Sequence, residues 1–141
     1  MRRRVLLDTG PLVAFLNRRD NHHAWARRVL GEIEPPLYTC ESVLSEACFL
    51  LRHSGAGQHA VLELVEKGLV LPVLDSRAEA PALRRLLRRY ADLPASLADV
   101  GLVRLAELFP DSSVLTTDAH FHVYRKEHRK VIPLISPETS H

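Results

Sequence analysis

Short apolar runs alternate with longer amphipathic segments along the chain. The apolar runs have the length of strands, and we predict strands at 4–8, 37–40, 69–74, 112–118 and 130–135. A first helix begins near Pro11, and helical spacing of apolar residues predicts further helices at 22–33, 42–53, 57–68, 80–91 and 96–109. Strands that alternate with helices form a parallel sheet covered on both faces. The pattern therefore predicts an α/β fold, a three-layer α/β/α sandwich, with Pro72 placing its strand at an edge or a bulge.

The helix at 80–91 has two contrasting faces. Its predicted core face carries Leu83, Leu86, Leu87 and Tyr90, and its other face carries Arg84, Arg85, Arg88 and Arg89. Arginines four residues apart repel each other mildly, and an anionic partner would relieve that repulsion. Arg84 and Arg88 are therefore candidate contacts for the phosphates of an anionic partner, and so is Arg125 in a second basic cluster, RKEHRK at 125–130. The alternative for both clusters is a solvated surface.

Length and composition restrict the class of protein. A chain of 141 residues suits one domain, which we expect over 1–141. Its apolar runs are far shorter than the roughly 20 residues that cross a bilayer, and Asp8 interrupts the one that follows the basic start. Cys40 and Cys48 form no CxxC pair, which favours reduced thiols and a cytoplasmic protein. The net charge of +2 does not by itself indicate a nucleic-acid partner.

Two predicted strands end on an aspartate. VLLD ends on Asp8 and VLTTD ends on Asp118, and if the strands are neighbours the two carboxylates meet at one edge of the sheet. Like charges so close oppose joint ionisation unless a cation lies between them. Glu46 and Asp99, on predicted helices, are further acids, and part of the helix face around Glu46 is expected to be buried. An all-oxygen pocket of this kind suits Mg²⁺ or Mn²⁺.

Each acid also has a purely structural interpretation. Asp8 and Asp118 can cap the segments that follow them. Asp99 lies three residues after Ser96, the spacing of a capping box. Glu46 can form an ion pair with Arg52. These alternatives stay open at the level of sequence.

Four segments in order resemble one family. VLLDTGPLVAFL contains Asp8, ESVLSEACFLL contains Glu46, LADVGLVRLAE contains Asp99, and SVLTTDAHFHVYR contains Asp118. Their order and spacing are similar to those of the PIN domain family of metal-dependent ribonucleases, whose bacterial members include VapC-type toxins. The resemblance covers nearly the whole chain.

The resemblance implies a parallel sheet of about five strands. It also implies that the four acids converge on one or two divalent metal ions. It implies that Asp8 and Asp99 are the most direct ligands of Mg²⁺ or Mn²⁺, that Glu46 and Asp118 complete the catalytic site, and that the Thr116 hydroxyl supports it. Many relatives carry an acid where this chain has Ser96, so an auxiliary negative charge is missing.

The activity implied is metal-dependent hydrolysis of RNA phosphodiester bonds by an endoribonuclease. With RNA as the substrate, Arg84, Arg88 and Arg125 become candidate contacts for the RNA backbone. The resemblance further implies that the protein is the toxin of a type II toxin–antitoxin pair, that a cognate antitoxin binds it and that it forms a homodimer. The short apolar runs predict no membrane partner.

Three other functions compete with this one. Asp8-Thr9-Gly10 also occurs in aspartic proteases, but that class needs two such loops and an almost all-β fold. A PIN-like module that binds RNA or protein with weak or no catalysis is favoured by Ser96. Cleavage of DNA by a related nuclease is the third.

Overall fold

Strands and helices alternate over most of the chain in a computed structural model that describes residues 3–127 and 129–137. The strands are β1 (Arg4–Leu7), β2 (Leu37–Thr39), β3 (Val70–Pro72), β4 (Ser112–Leu115), β5 (Arg125–Lys126), β6 (Lys130–Val131) and β7 (Leu134–Ile135). The helices are α1 (Thr9–Leu16), α2 (His23–Glu32), α3 (Glu41–Leu50), α4 (Gly57–Glu66), α5 (Ser76–Arg89) and α6 (Leu97–Leu108). A 3₁₀ helix covers Ala119–His122.

Five of these strands form a parallel sheet in the order β3-β2-β1-β4-β7. Strands β2 and β3 lie on one side of β1, and β4 and β7, which come later in the chain, lie on the other side. The strand order therefore reverses between β1 and β4, and ligand sites of open parallel sheets form beyond the carboxyl ends of the strands at such a point. Pro72 lies in the edge strand β3, as its missing N–H predicts.

Alternate strand residues supply the two halves of the core. Leu6 and Val114 pack on the face covered by α5 and α6, whereas Leu7 and Leu115 pack on the face covered by α1 to α4. Both faces of the sheet are therefore covered, and the three-layer α/β/α sandwich is confirmed. In register, Leu7 of β1 lies beside Leu115 of β4, so the residues after them emerge side by side.

The predicted last strand, 130–135, is wrong as one continuous element. Its first part is β6, which pairs antiparallel with β5 in a separate ribbon, and its second part is β7 of the main sheet. Pro133 lies between the two and has no N–H to continue a ladder, although its carbonyl accepts a hydrogen bond from Val114 N.

Helix α5 also differs from its prediction. It begins at Ser76 rather than at 80, because Asp75 accepts hydrogen bonds from the amides of Arg77 and Ala78 and so caps an earlier turn. Leu83, Leu86 and Tyr90 are buried as predicted, but Leu87 is 38% exposed because it lies at the edge of the apolar stripe.

Neither Cys40, which is buried, nor Cys48, which is half-buried, is in a disulfide. No helix in the described ranges is long and apolar enough to cross a bilayer. The single domain expected over 1–141 includes Met1, Arg2, His128 and 138–141, which lie outside the described residues, and its boundaries stay a prediction.

Candidate active site at the strand switch point

Asp8 occupies the junction between β1 and α1 and is 5% exposed. Its backbone N–H donates to Leu115 O of β4 at 3.0 Å, so the sheet ladder fixes its position. Its Oδ1 accepts the amide N–H of Thr9 at 2.8 Å and caps α1. Its Oδ2 accepts the hydroxyl of Thr116 at 2.6 Å. The carboxylate is thus held by the first residue of α1 and by the residue that follows β4.

Thr116 connects Asp8 with Asp118. While its hydroxyl donates to Asp8, the same oxygen accepts the backbone N–H of Asp118 at 2.9 Å. Asp118 in turn caps the 3₁₀ helix, because its Oδ1 accepts the amide of His120 at 2.8 Å. One buried hydroxyl therefore fixes the arrangement of two strand-end acids.

Asp99 reaches the same end of the sheet from α6. Ser96 and Asp99 form the capping box that their spacing predicts, with Ser96 N donating to Asp99 Oδ2 and Asp99 N donating to Ser96 Oγ, each at 3.0 Å. Tyr124 Oη donates to the same Oδ2 at 3.2 Å. In the part of the chain that the structure describes, Asp99 Oδ1 accepts no hydrogen bond.

The three aspartates influence one another electrostatically. The pKa of Asp8 is raised from its ordinary value of 3.8 to about 6, mainly by burial and to a smaller extent by the charges of Asp99 and Asp118, against hydrogen bonds from Thr116 and Thr9 that lower it. Burial also raises the pKa of Tyr124, and the charge of Asp99 adds to that rise, so the phenol stays protonated and donates. Asp8, Asp99 and Asp118 thus form one acidic cluster.

Gly10 allows the loop that follows β4 (residues 116–118, the β4 loop) to approach α1 closely. A Cβ at Gly10 would meet Oγ1 of Thr117 and lie 3.3 Å from its Cβ. Thr117 stands between Thr116 and Asp118, so a side chain at Gly10 would push on the segment that carries both. Sequence reasoning missed this role, although a glycine two residues after the strand-end acid is a visible signal of close backbone approach.

Glu46 differs from its prediction in burial. It is exposed on α3 rather than part-buried, because its neighbours Phe49 and Leu50 are themselves 60% and 51% exposed and bury no face there. Within the described residues it forms no ion pair with Arg52, whose guanidinium lies over the Phe49 ring. The contacts described above do not join Glu46 to the three aspartates.

The candidate RNA contacts lie on two elements. Arg84 and Arg88 are exposed on α5. Arg125 follows the acidic segment, and its Nη1 donates to the carbonyls of His122 and Tyr124 at 2.7 and 2.9 Å. Its backbone is bound by the hydroxyl of Tyr90, at the end of α5. Sequence reasoning missed Tyr90 and Tyr124 as neighbours of the site, since their contacts span 35 and 25 residues.

A cavity of about 160 Å³ opens beside Asp118. It is lined by His22, Thr117, Asp118, Ala119, His122, Ser136 and Pro137. Among the described residues, no three His, Cys, Asp or Glu side chains are arranged to hold a metal ion by themselves. The cavity gives a ligand access to one member of the acidic cluster.

The chain is thus an α/β protein whose open parallel sheet carries clustered aspartates at the point where the strand order reverses. The chain belongs to the PIN domain family, whose model matches residues 5–127. Its fold is similar to that of VapC20 from Mycobacterium tuberculosis, described as a toxin that cleaves the sarcin–ricin loop, with a TM-score of 0.62 and 20% identity over 78% of this chain and 86% of that one. Comparison with curated proteins gave no match.

Replacing Gly10 with alanine tests how closely α1 and the β4 loop must approach. We expect Gly10→Ala to lower the free energy of unfolding by about 1–3 kcal/mol, because the new Cβ overpacks Thr117. Gly31→Ala, in α2 with no atom within 4 Å of its Cβ, is the matched control and should raise it by about 0.5–1 kcal/mol. Urea unfolding measures both. Equal effects of the two substitutions would contradict the close approach.

The raised pKa of Asp8 predicts how stability depends on pH. Between pH 3.8 and about 6 the folded protein binds more protons at Asp8 than the unfolded chain, so this group's contribution to stability falls as pH rises through that window. Across the whole window, ionisation of Asp8 lowers the free energy of unfolding by roughly 3 kcal/mol.

Without added metal, we therefore expect the stability of wild type relative to Asp8→Asn to decrease by about 2–3 kcal/mol from pH 4 to pH 7.5. Urea unfolding in EDTA across this range measures it. Parallel pH curves for the two proteins would refute the ionisation assigned to Asp8.

Proposed function

We propose that the protein is a divalent-metal-dependent endoribonuclease that hydrolyses RNA phosphodiester bonds. The observation that carries the proposal is the convergence of Asp8, Asp99 and Asp118 beyond the carboxyl ends of β1 and β4, in a chain of the PIN domain family. A single buried aspartate would be explained as a helix cap. Here the charges of Asp99 and Asp118 add to the cost of ionising the buried Asp8, and a bound cation would compensate for that cost.

The donor set fits Mg²⁺ or Mn²⁺. All the candidate metal-ligand atoms are carboxylate oxygens. In the described ranges, two of them, Asp99 Oδ1 and Asp118 Oδ2, accept no hydrogen bond from the protein. Burial raises the pKa of the nearby Cys40 thiol, so no thiolate competes as a soft ligand. A site with few protein ligands also suits Mg²⁺, which keeps several waters and binds through one or two carboxylates and substrate phosphates.

Roles follow from the position of each residue. Asp8 and Asp99 are the direct ligands in this proposal, and Asp118 completes the site from the β4 side. Thr116 is the supporting residue, because its hydroxyl holds Asp8 and the backbone of Asp118 in one arrangement. Glu46, exposed on α3, acts through water or the bound substrate.

A divalent cation bound there supplies an activated water and neutralises charge on the phosphate. The protein's own residues supply orientation. The ladder bond of Asp8 N and the two hydrogen bonds to its carboxylate leave it little freedom to rotate, and the capping box does the same for Asp99. Carboxylates that are already held in position need not reorient when the substrate binds.

We further propose that the enzyme is the toxin of a type II toxin–antitoxin pair, works in the cytoplasm, forms a homodimer and is inhibited by a cognate antitoxin protein. The support is the fold that it shares with VapC20, a toxin. The competing proposal, a PIN-like binding module with weak or no catalysis, is favoured by Ser96, whose hydroxyl caps α6 and adds no charge to the site.

Substitution of Asp8 tests the ribonuclease activity. We expect Asp8→Asn to reduce Mn²⁺-dependent cleavage of RNA by at least about 10³-fold, because the proposed ligand loses its charge while the cap of α1 is kept. Asp75→Asn is the matched control, since Asp75 also caps a helix but is exposed on α5's first turn, and it should cleave like wild type. A gel assay with defined RNA, with and without EDTA, measures both.

Wild-type cleavage that survives EDTA would refute the metal dependence. Wild-type protein that binds Mn²⁺ but cuts no RNA would favour the binding module.

Charge reversal on α5 tests the RNA contacts. We expect Arg84→Glu combined with Arg88→Glu to weaken RNA binding and to reduce the slope of log affinity against log salt by about 1.4, the value for two phosphate contacts to a single strand. The control is Arg52→Glu with Lys67→Glu, which changes net charge equally on the opposite face of the sheet and should leave the slope near that of wild type. Fluorescence anisotropy in Asp8→Asn, without cleavage, measures both. Identical slopes for the two double variants would remove α5 from the RNA site.

A further inference from the structure

The rings of Tyr90, Phe121 and Tyr124 pack together beside Asp99 of the acidic cluster. Tyr124 is 1% exposed, and its ring meets Tyr90 and Phe121 edge to face at centroid distances of 4.9 and 5.0 Å. Such contacts fix the plane and the depth of each ring. The hydroxyls at the ends of Tyr124 and Tyr90 are therefore held at set positions.

The Tyr124 hydroxyl is directed to Asp99. It donates to Oδ2 at 3.2 Å, beside the Ser96 amide that donates to the same oxygen at 3.0 Å. Two donors on Oδ2 leave Oδ1 as the oxygen without a protein partner in the described ranges. They also remove the freedom of the carboxylate to exchange its two oxygens by rotation about χ2.

The Tyr90 hydroxyl is directed to Arg125. It accepts the backbone N–H of Arg125 at 2.9 Å and donates to the backbone carbonyl of the same residue at 3.2 Å. This pair of bonds closes the end of α5 onto the segment that follows the acids, and it sets where the Arg125 side chain begins. The two tyrosines of one edge-to-face pair thus hold two different groups.

We propose that Tyr124 is a positioning residue for the metal-facing oxygen of Asp99 and that Tyr90 is a positioning residue for Arg125 on the RNA side. The inference rests on the proposed ribonuclease function. Both rings would pack almost equally well as phenylalanine, so packing alone does not account for the hydroxyls. What the hydroxyls add is the orientation of one carboxylate and one backbone segment.

Two matched substitutions separate the roles. Tyr124→Phe should weaken Mn²⁺ binding by about tenfold, the lower end of the range for loss of a hydrogen bond to a metal ligand, and should leave KM for RNA at saturating Mn²⁺ within about twofold of wild type. Tyr90→Phe should leave Mn²⁺ affinity within about twofold and raise KM for RNA by about threefold or more. Calorimetry with Mn²⁺ alone and steady-state cleavage measure the two properties, and thermal unfolding verifies that both variants fold.

Each result supports or overturns the inference. Mn²⁺ affinity unchanged in Tyr124→Phe overturns the role of Tyr124, and equal losses of Mn²⁺ affinity in both variants show that the pair acts through packing and overturn it as well. If wild type binds Mn²⁺ and cleaves RNA in those cases, the ribonuclease proposal stands. If wild type binds no Mn²⁺, both proposals are refuted.

Discussion

The burial of the Asp8 carboxylate between two adjacent strands is the constraint on which the rest of the site depends. A charge removed from water must be matched by hydrogen bonds or by a cation. Hydrogen bonds from Thr9 and Thr116 offset only part of the cost, because the pKa of Asp8 is still raised to about 6. The metal-free protein therefore carries an unfavourable charge at neutral pH, and a bound divalent cation would compensate for it.

Helix capping and metal binding are compatible roles for these acids. Asp8, Asp99 and Asp118 each cap a helix or a 3₁₀ turn, as the structural interpretation of the sequence expected. In Asp99 and Asp118 the capping bonds use one carboxylate oxygen, and the other has no protein donor in the described part of the chain. The cap fixes the side chain, and a fixed side chain is a better ligand. Local structure thus positions the groups that the proposed chemistry needs.

The sequence predicted those parts of the molecule that depend on periodicity. The bounds of α2, α4, α6 and β2 differ from prediction by one or two residues. Parallel strands predicted that Asp8 and Asp118 would meet at one edge if their strands were neighbours, and β1 and β4 are neighbours. Asp99 lies on a helix, and its place in the cluster came from the family resemblance rather than from spacing.

Other features depend on packing that periodicity does not encode. The apolar residues around Glu46 predicted a buried face, yet Phe49 and Leu50 are exposed, because no element covers that side of α3 in the described ranges. Tyr124 and Gly10 contact residues 25 and 107 positions away, so hydrophobic periodicity does not identify their partners. Long-range contacts of this kind decide the geometry of a site once the fold has brought its elements together.

The acidic residues at the switch point are, in this account, a single metal-binding unit assembled from β1, α6 and the β4 loop. The most direct measurement is anomalous diffraction from crystals of the protein equilibrated with Mn²⁺ at neutral pH. The account predicts a manganese peak in contact with carboxylate oxygens of Asp8 and Asp99, on the side from which Asp118 approaches. Manganese bound only elsewhere, or no peak at a concentration that supports cleavage, would contradict it.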